Sequence, residues 1–164
     1  MSYDGVTLHH ILQELKSTLT TGRITKIYQL NNYDLLFFIY AQNNKHQLFF
    51  SASPNYARMH LTTMPQERPQ NPPNFCMFLR KHLEGGLIEQ ITQNENDRVA
   101  IIDVRKRDEL GDIVTKKIIY EATGRHSNLI ITDEHFKILE AIKHVMPFED
   151  AARTVYPGAI YQFP

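Results

Sequence analysis

Residues 23–50, RITKIYQLNNYDLLFFIYAQNNKHQLFF, decide the fold class. They contain three short runs rich in β-branched and aromatic side chains: Ile24–Leu30, Asp34–Tyr40 and Gln47–Phe50. Asn-rich pairs at 31–32 and 43–44 separate the runs, and asparagine favours tight turns between strands. The pattern therefore predicts a three-stranded antiparallel meander.

Helical patterns lie on both sides of this meander. Before it, Asp4 can cap a helix that Gly22 is expected to end, with an apolar stripe of Leu8, Ile11, Leu12, Leu15 and Leu19. After it, the proline-rich residues 62–73 predict a loop. A second helix is expected between Pro72-Pro73 and Gly85-Gly86, with Cys76, Leu79 and Leu83 on one face.

The remainder of the chain predicts further strands. These are Leu87–Ile91, Val99–Val104, Ile113–Tyr120, Leu129–Thr132 and Phe136–His144. A charged turn, Asp108–Asp112, joins two of them, and for the last run a helix fits the spacing nearly as well as a strand. The order of elements indicates an α+β fold, an antiparallel β-sandwich with flanking helices. The Pro- and Gly-punctuated end, Val155–Pro164, is typical of a segment that leads into a linker.

Composition bounds the class of protein. The 164 residues fit a single domain, 1–164, and 42% hydrophobic with 22% charged residues is the balance of a folded chain. The 18 basic and 18 acidic residues cancel, so any site for a polyanion must be local. No apolar run is long enough to cross a bilayer and no signal peptide is apparent, which predicts a cytoplasmic protein without membrane insertion.

Metal and covalent chemistry have weak support. The lone Cys76 excludes an internal disulfide, and the histidines His9, His10, His82 and His126 lack partners at metal-ligand spacing. Cys76 and His82 lie about 600° apart around a helix, so they face different sides. We therefore expect no metal site, no cofactor and no catalytic residues.

Polar groups placed at strand ends are the candidates for ligand binding. Asp97-Arg98 precedes one predicted strand, and Gly124-Arg125-His126-Ser127-Asn128 precedes another. The arginine fork suits phosphates and base edges. Composition alone favours a plainer interpretation, an Asp-Arg turn with a local ion pair and a polar glycine turn. The second helix adds Arg80 and Lys81 on its polar face, and the connector Ser51–Leu61 mixes aromatic, arginine and histidine side chains that could stack on bases.

A longer set of motifs, in fixed order, carries a family resemblance. They are Tyr3-Asp4-Gly5, Gly22-Arg23-Ile24-x-Lys26-Ile27-Tyr28-Gln29, Ser51–Leu61, Phe75–Gly86, Asp97-Arg98, Gly124–Asn128 and Arg153-Thr154-Val155-x-Pro157-Gly158. The chain resembles the NFACT-N domain of the bacterial FbpA/PavA fibronectin-binding proteins, which are also the RqcH ribosome-quality-control factors and homologues of eukaryotic NEMF. Since the full-length family members are much longer, the resemblance implies an N-terminal fragment.

The resemblance implies a binding role in translation. Such factors bind tRNA and the 50S subunit obstructed by peptidyl-tRNA, and recruit alanyl-tRNA so that an alanine tail is added to the stalled chain. In the family the pair matching Asp97 and Arg98 is associated with tRNA recognition and tailing. We extend an RNA-contact role to Arg125, His126, Arg80 and Lys81 from their chemistry and placement.

The family is also described as resembling the N-terminal domain of formamidopyrimidine-DNA glycosylases. Those enzymes attack with an N-terminal proline amine beside a glutamate, whereas this chain has Ser2 and Tyr3 at the corresponding positions. We therefore expect no glycosylase activity and no enzyme.

Two alternative functions stand beside tRNA binding. The family was first named for fibronectin binding, so one alternative is an adhesin that reaches the cell surface by a non-classical route. The other is an architectural domain that orients the rest of a longer protein and touches no RNA.

Overall fold

A computed structural model describes residues 4–94, 98–149 and 153–164. Two helices lie within these residues, α1 (Gly5–Leu19) and α2 (Asn74–Leu83). The strands are β1 (Arg23–Gln29), β2 (Asp34–Ala41), β3 (Asn44–Ser51), β4 (Arg58–Thr62), β5 (Leu87–Gln93), β6 (Val99–Arg107), β7 (Ile113–Glu121), β8 (Asn128–Asp133) and β9 (Ile138–Ala141). A short 3₁₀ turn, Gly124–His126, connects β7 and β8.

All the strands belong to one antiparallel sheet, in the order β4-β3-β2-β1-β5-β6-β7-β8-β9. Most strands that pair with each other are also consecutive in the chain, because an antiparallel pair can be joined by a short turn. The exception is the junction of β1 with β5, which is registered at the single pair Arg23 and Leu87. The sheet therefore has two halves, β1–β4 and β5–β9, joined along a short seam.

The two halves pack face to face across the core. The rings of Phe50 in β3 and Tyr120 in β7 are 5.8 Å apart, and the Tyr120 hydroxyl donates to the carbonyl of Ser51 at 2.8 Å. Four strands separate β3 from β7 in the sheet, which would be roughly 24 Å if the sheet were flat. The sheet must therefore fold over on itself. The predicted sandwich has two layers that are halves of one continuous sheet.

Each helix packs where the two halves meet. Helix α1 contacts β5, β2 and β4, whereas α2 contacts β1, β6 and β9. In α1 the Asp4 carboxylate caps the helix by accepting the Thr7 N–H at 2.8 Å, and the predicted stripe is buried apart from the partly buried Ile11. The α+β class with two flanking helices, and the helix predicted after Pro72-Pro73, are confirmed.

The predicted three-stranded meander is wrong by one strand. Within the connector Ser51–Leu61, residues from Arg58 onward form β4, which pairs with β3 as the outer strand of the sheet. Met59 is fully buried and its neighbours are not, so a short alternation does exist there. Pro54 and Asn55 mask this alternation because they signal a turn just before it.

The end of α1 also differs from the expectation. The helix stops at Leu19, and Thr21 rather than Gly22 takes the left-handed conformation, with φ +70°. Gly22 is required for another reason, because a Cβ there would lie 2.9 Å from side-chain atoms of Ala41 and Ile39. The glycine permits close approach of the chain to β2.

The carboxyl end of the chain is packed instead of linker-like. Val155 and Tyr161 are buried in a second apolar cluster with residues of β6, β7, β8 and β9, and Val155 bridges to Val145. The last predicted element, Phe136–His144, is a strand as expected, but β9 covers only Ile138–Ala141. Phe136 has φ +66°, which interrupts the extended backbone before the strand.

Candidate nucleic-acid interface

Arg98 lies immediately before β6, and its side chain is exposed. Its carbonyl accepts the N–H of Ala122 at 2.9 Å, so Arg98 sits beside the residue that follows β7. Its positive charge is close enough to affect Asp4, which caps the start of α1. The Thr7 N–H lowers the pKa of the Asp4 carboxyl, and the nearby positive charge of Arg98 lowers it further. The predicted partner Asp97 lies outside the described residues.

The 3₁₀ turn presents the next two predicted residues. Gly124 has φ +67°, a conformation that favours glycine, and the buried Ser127 hydroxyl donates to the Gly124 carbonyl at 2.6 Å. These interactions fix the turn and leave Arg125 and His126 exposed. Within the motif Gly124–Asn128, the glycine, serine and asparagine therefore have structural roles and the two basic residues face solvent.

Asn128 brings a further cation to this turn. It is buried, and its amide donates to the Lys143 carbonyl at 2.9 Å while its side-chain oxygen accepts the Lys143 N–H at 3.1 Å. The Lys143 ammonium donates to the Arg125 carbonyl at 3.3 Å and lies 5.1 Å from the ring centre of Tyr33. Burial lowers the pKa of Lys143. The sequence prediction missed this lysine.

We call Arg98, Arg125, His126 and Lys143 the Arg98 surface. They all lie at the end of the sheet where β6 begins and β7 ends. Arg125, His126 and Lys143 also line a pocket of about 430 Å³, together with Asn128, His144, Val145, Glu149 and Arg153. Arginine and lysine at the rim of a concave, polar surface are suited to binding phosphate groups.

A buried ion pair supports this end of the sheet. The Glu121 side chain is 0% exposed, and Arg153 donates to both of its carboxylate oxygens. The Tyr161 hydroxyl donates to the same carboxylate at 2.6 Å, and Arg153 also donates to the Gln162 carbonyl. Burial, followed by the negative charge of Glu121, raises the pKa of Tyr161 well above its ordinary value. This group ties residues 153–162 to β7.

Arg80 is engaged inside the protein. Its Nε donates to the Ile27 carbonyl at 2.8 Å, its guanidinium lies 5.3 Å from the ring centre of Tyr28, and Glu84 is 3.9 Å away. These contacts fasten α2 to β1. The RNA-contact role of Arg80 remains a prediction, but its structural role is evident.

Lys81 lies at the opposite end of the β6–β7 hairpin from Arg98. Its side chain is 66% exposed and pairs with Glu109 at 3.7 Å. Lys106, whose ammonium donates to the Lys81 carbonyl, is eight positions after Arg98 along β6, which corresponds to about 26 Å. Arg98 and Lys81 therefore do not lie in one compact site.

Lys81 borders a second pocket, between the end of α2 and the β6–β7 hairpin. Its lining is Lys81, His82, Lys106, Arg107, Asp108, Glu109, Leu110, Val114 and Lys116. The Lys106 ammonium donates to the Lys81 carbonyl at 2.8 Å, and the Lys116 ammonium lies 2.8 Å from Nδ1 of His82. We call this the Lys116 pocket.

The Lys116 pocket predicts a pH dependence of stability. Burial, followed by the positive charges of Lys116, Lys81 and Lys106, lowers the pKa of His82 from 6.5 to about 4. Because the unfolded chain then takes up the proton at higher pH than the native chain, the stabilisation is complete above pH 6.5 and is lost as pH falls towards 4. Urea unfolding at pH 7 and pH 5 is expected to show a smaller loss of stability in His82→Gln than in the wild type.

An NMR titration provides the control for this prediction. Lys116→Met removes the nearest like charge, so the pKa of His82 is expected to rise towards its ordinary value. An unchanged titration of His82 in Lys116→Met, or identical pH dependence in His82→Gln and wild type, would contradict the assignment.

Candidate metal ligands and nucleophiles do not converge in the described part of the chain. Within residues 4–94, 98–149 and 153–164, no three His, Cys, Asp or Glu side chains are placed to hold a metal ion. Cys76 is buried in the core, where burial raises the pKa of its thiol. No helix among the described residues combines the length and apolar character needed to cross a membrane.

The chain is similar to proteins of a known family over nearly its whole length. A family model described as NFACT N-terminal and middle domains matches residues 4–164. The Rqc2 homolog RqcH of Bacillus subtilis is 43% identical over 165 residues, which cover 100% of this chain and 29% of that protein. The chain thus spans less than a third of the length of this curated relative.

Solved structures agree over almost the whole chain. The N-terminal domain of the fibronectin-binding protein PavA from Streptococcus pneumoniae superposes with a TM-score of 0.95 at 44% identity, covering 99% of this chain and 62% of that one. The N-terminal part of the fibronectin/fibrinogen-binding protein of Streptococcus suis gives 0.96 at 40% identity, covering 99% and 61%. The sheet and two helices described above are thus similar to those of these structures.

Proposed function

This chain belongs to the family of NFACT N-terminal and middle domains, and from that membership we propose that it is the tRNA- and 50S-binding module of a ribosome-quality-control factor. The factor recruits alanyl-tRNA to a large subunit obstructed by peptidyl-tRNA, so that stalled nascent chains receive a C-terminal alanine tail. This function belongs in the cytoplasm. It requires binding and no bond chemistry from this domain, in keeping with Ser2 and Tyr3 in place of the glycosylase pair.

The exposed Arg98 at the head of β6 is the observation that carries the proposal. It stands beside the 3₁₀ turn that presents Arg125 and His126, with Lys143 held against the same turn by Asn128. Two arginines, one lysine and one histidine therefore lie at this end of the sheet, although the whole chain has no net charge. A local cluster of this kind supplies phosphate contacts without a global basic excess.

Arg98→Ala tests the proposal directly. We expect it to weaken binding of alanine tRNA about 10- to 100-fold, the loss typical of one specific arginine contact, while unfolding changes by less than about 0.5 kcal/mol because the side chain is exposed. Filter binding and urea unfolding measure the two quantities. Arg105→Ala is the matched control, since it removes the same charge from the same strand where Arg105 pairs with Glu89 at 3.5 Å.

Two outcomes would overturn this assignment. Equal tRNA affinity for Arg98→Ala and Arg105→Ala would remove Arg98 from the interface. A collapsed unfolding free energy in Arg98→Ala would make the residue structural. The same pair of measurements on Asp97→Asn tests the neighbouring position that the family resemblance assigns to tRNA recognition.

Fibronectin binding is the second candidate, because the structural neighbours are named for it. It requires that the protein reach the cell surface. Immobilised fibronectin probed with this chain distinguishes the two functions. Retention on fibronectin together with no detectable tRNA binding would favour the adhesin, whereas tRNA binding without retention supports the proposal above.

A further inference from the structure

The Lys116 pocket has an excess of basic side chains in its lining and is separate from the Arg98 surface. It has a volume of about 470 Å³ and lies between the end of α2 and the β6–β7 hairpin. Three lysines and one arginine line it, against two carboxylates. We propose that this pocket binds a backbone phosphate of RNA.

Two of the three ammonium groups of the pocket, those of Lys106 and Lys116, are held in place. Lys106 is fixed by its hydrogen bond to the Lys81 carbonyl near the end of α2, and Lys116 by its contact with Nδ1 of His82. The His82 ring in turn packs on Phe78, with ring centres 4.2 Å apart. When the neutral His82 ring accepts a hydrogen bond from the Lys116 ammonium at Nδ1, its own ring proton is on Nε2. The site is therefore preorganised, which reduces the entropy lost on binding.

The charges within the pocket repel one another. Burial lowers the pKa of Lys116, and the positive charges of Lys106 and Lys81 lower it further. Asp108 opposes this effect, but its carboxylate also accepts the N–H groups of Leu110 and Asp112, both at 2.9 Å, and so stabilises the hairpin turn. A bound anion would relieve the repulsion between the lysines.

Phosphate is the anion that best matches these groups. Lysine ammonium groups act as point charges on phosphate oxygens, and a tetrahedral group can meet several of them at once. Glu109, the carboxylate paired with Lys81, is 85% exposed, so an incoming phosphate can displace it at little cost. The pocket therefore needs no rearrangement of the fold to receive the anion.

The location of the pocket favours RNA over a free phosphate. The Arg98 surface lies about 26 Å away along β6. A single RNA held at that surface would present further phosphates to the pocket at high effective concentration, whereas a free ion would gain no such advantage. This inference rests on the proposed function, because it assumes that the Arg98 surface holds RNA.

The salt dependence of tRNA binding tests the inference. Lys116→Met removes the half-buried ammonium, and Lys81→Gln removes one from an exposed side chain whose loss leaves the fold intact. Each variant is expected to reduce the slope of log K against log salt by about 0.7 to 0.9, the effect of losing one phosphate contact. Lys45→Gln is the matched control, because it removes one charge from the exposed beginning of β3 and should leave the slope unchanged.

A second measurement uses inorganic phosphate as the probe. In the wild type, the NMR signals of His82, Lys106 and Lys116 are expected to shift on addition of phosphate, and Lys116→Met should abolish the shift at His82. Wild-type slopes in both pocket variants, with tRNA still bound, would overturn the assignment to RNA, and phosphate-dependent shifts would then identify a free or small-molecule phosphate as the occupant. Failure of the wild type to bind tRNA is the separate result that overturns the proposed function.

Discussion

Glu121→Ala is expected to lower the free energy of unfolding by about 3 to 5 kcal/mol, the loss typical of removing one partner of a buried ion pair. The carboxylate is fully buried and accepts hydrogen bonds from Arg153 and Tyr161. Its removal leaves the Arg153 guanidinium, 16% exposed, without its counter-charge and leaves the Tyr161 hydroxyl without its acceptor. Urea unfolding of wild type and variant measures the difference.

The double variant Glu121→Leu/Arg153→Met is the control. Replacing a whole buried pair with apolar side chains of similar volume is often neutral, so this variant should recover most of the lost stability. Equal destabilisation in the single and double variants would mean that the hydrogen bonds to Tyr161 and Gln162 dominate. A loss below about 1 kcal/mol in Glu121→Ala would contradict the buried pair, since such values are typical of exposed pairs.

This ion pair also explains why the sequence did not reveal the support beneath the Arg98 surface. Glu121 is the last residue of an apolar strand, and Arg153 lies just before Val155–Pro164, the segment that looks like the start of a linker. Hydrophobic periodicity does not predict that Glu121 and Arg153 meet, because their contact forms only when the end of the chain packs onto β7. The sequence shows only an arginine just before a Pro- and Gly-punctuated end, and its buried partner is identified by the three-dimensional structure.

Local pattern did predict most elements of the fold. The cap at Asp4, the stripe of α1 and the prolines and glycines around α2 each act within a few residues, so the sequence contains the whole cause. The predictions were wrong where a contact with a residue distant in sequence decides the local conformation. The outer strand β4 forms because β3 offers it an edge, and Gly22 is needed by Ala41 and Ile39 across the sheet.

The residues of the candidate site also fall into those that local sequence predicts and those that depend on distant contacts. Arg98, Arg125 and His126 were predicted from their position before strands, and all three are exposed at one end of the sheet. Their contact with RNA stays a prediction. Lys143 was missed because a buried asparagine, not sequence proximity, brings it to Arg125. Arg80 and Lys81 are adjacent in sequence, yet their side chains have different surroundings because one faces β1 and the other the hairpin turn.

Phe50→Ala is the second change with a large expected effect, about 3 to 5 kcal/mol of unfolding free energy. The ring is 1% exposed and lies 5.1 Å from Phe37 within its own half of the sheet and 5.8 Å from Tyr120 in the other half. Truncation leaves a cavity between the halves, which the surrounding strands cannot fill because each is fixed by its ladder of hydrogen bonds. Urea or thermal unfolding measures the loss.

Tyr120→Phe separates packing from hydrogen bonding at the same contact. It keeps the ring against Phe50 but removes the donor to the Ser51 carbonyl, so we expect a loss of about 1 to 2 kcal/mol. In a double-mutant cycle, Phe50→Ala and Tyr120→Ala should show a coupling of about 0.5 to 1.5 kcal/mol, as aromatic pairs do. Because these rings lie on strands that a flat sheet would hold far apart, strictly additive losses would mean that the two halves of the sheet do not close on each other in solution.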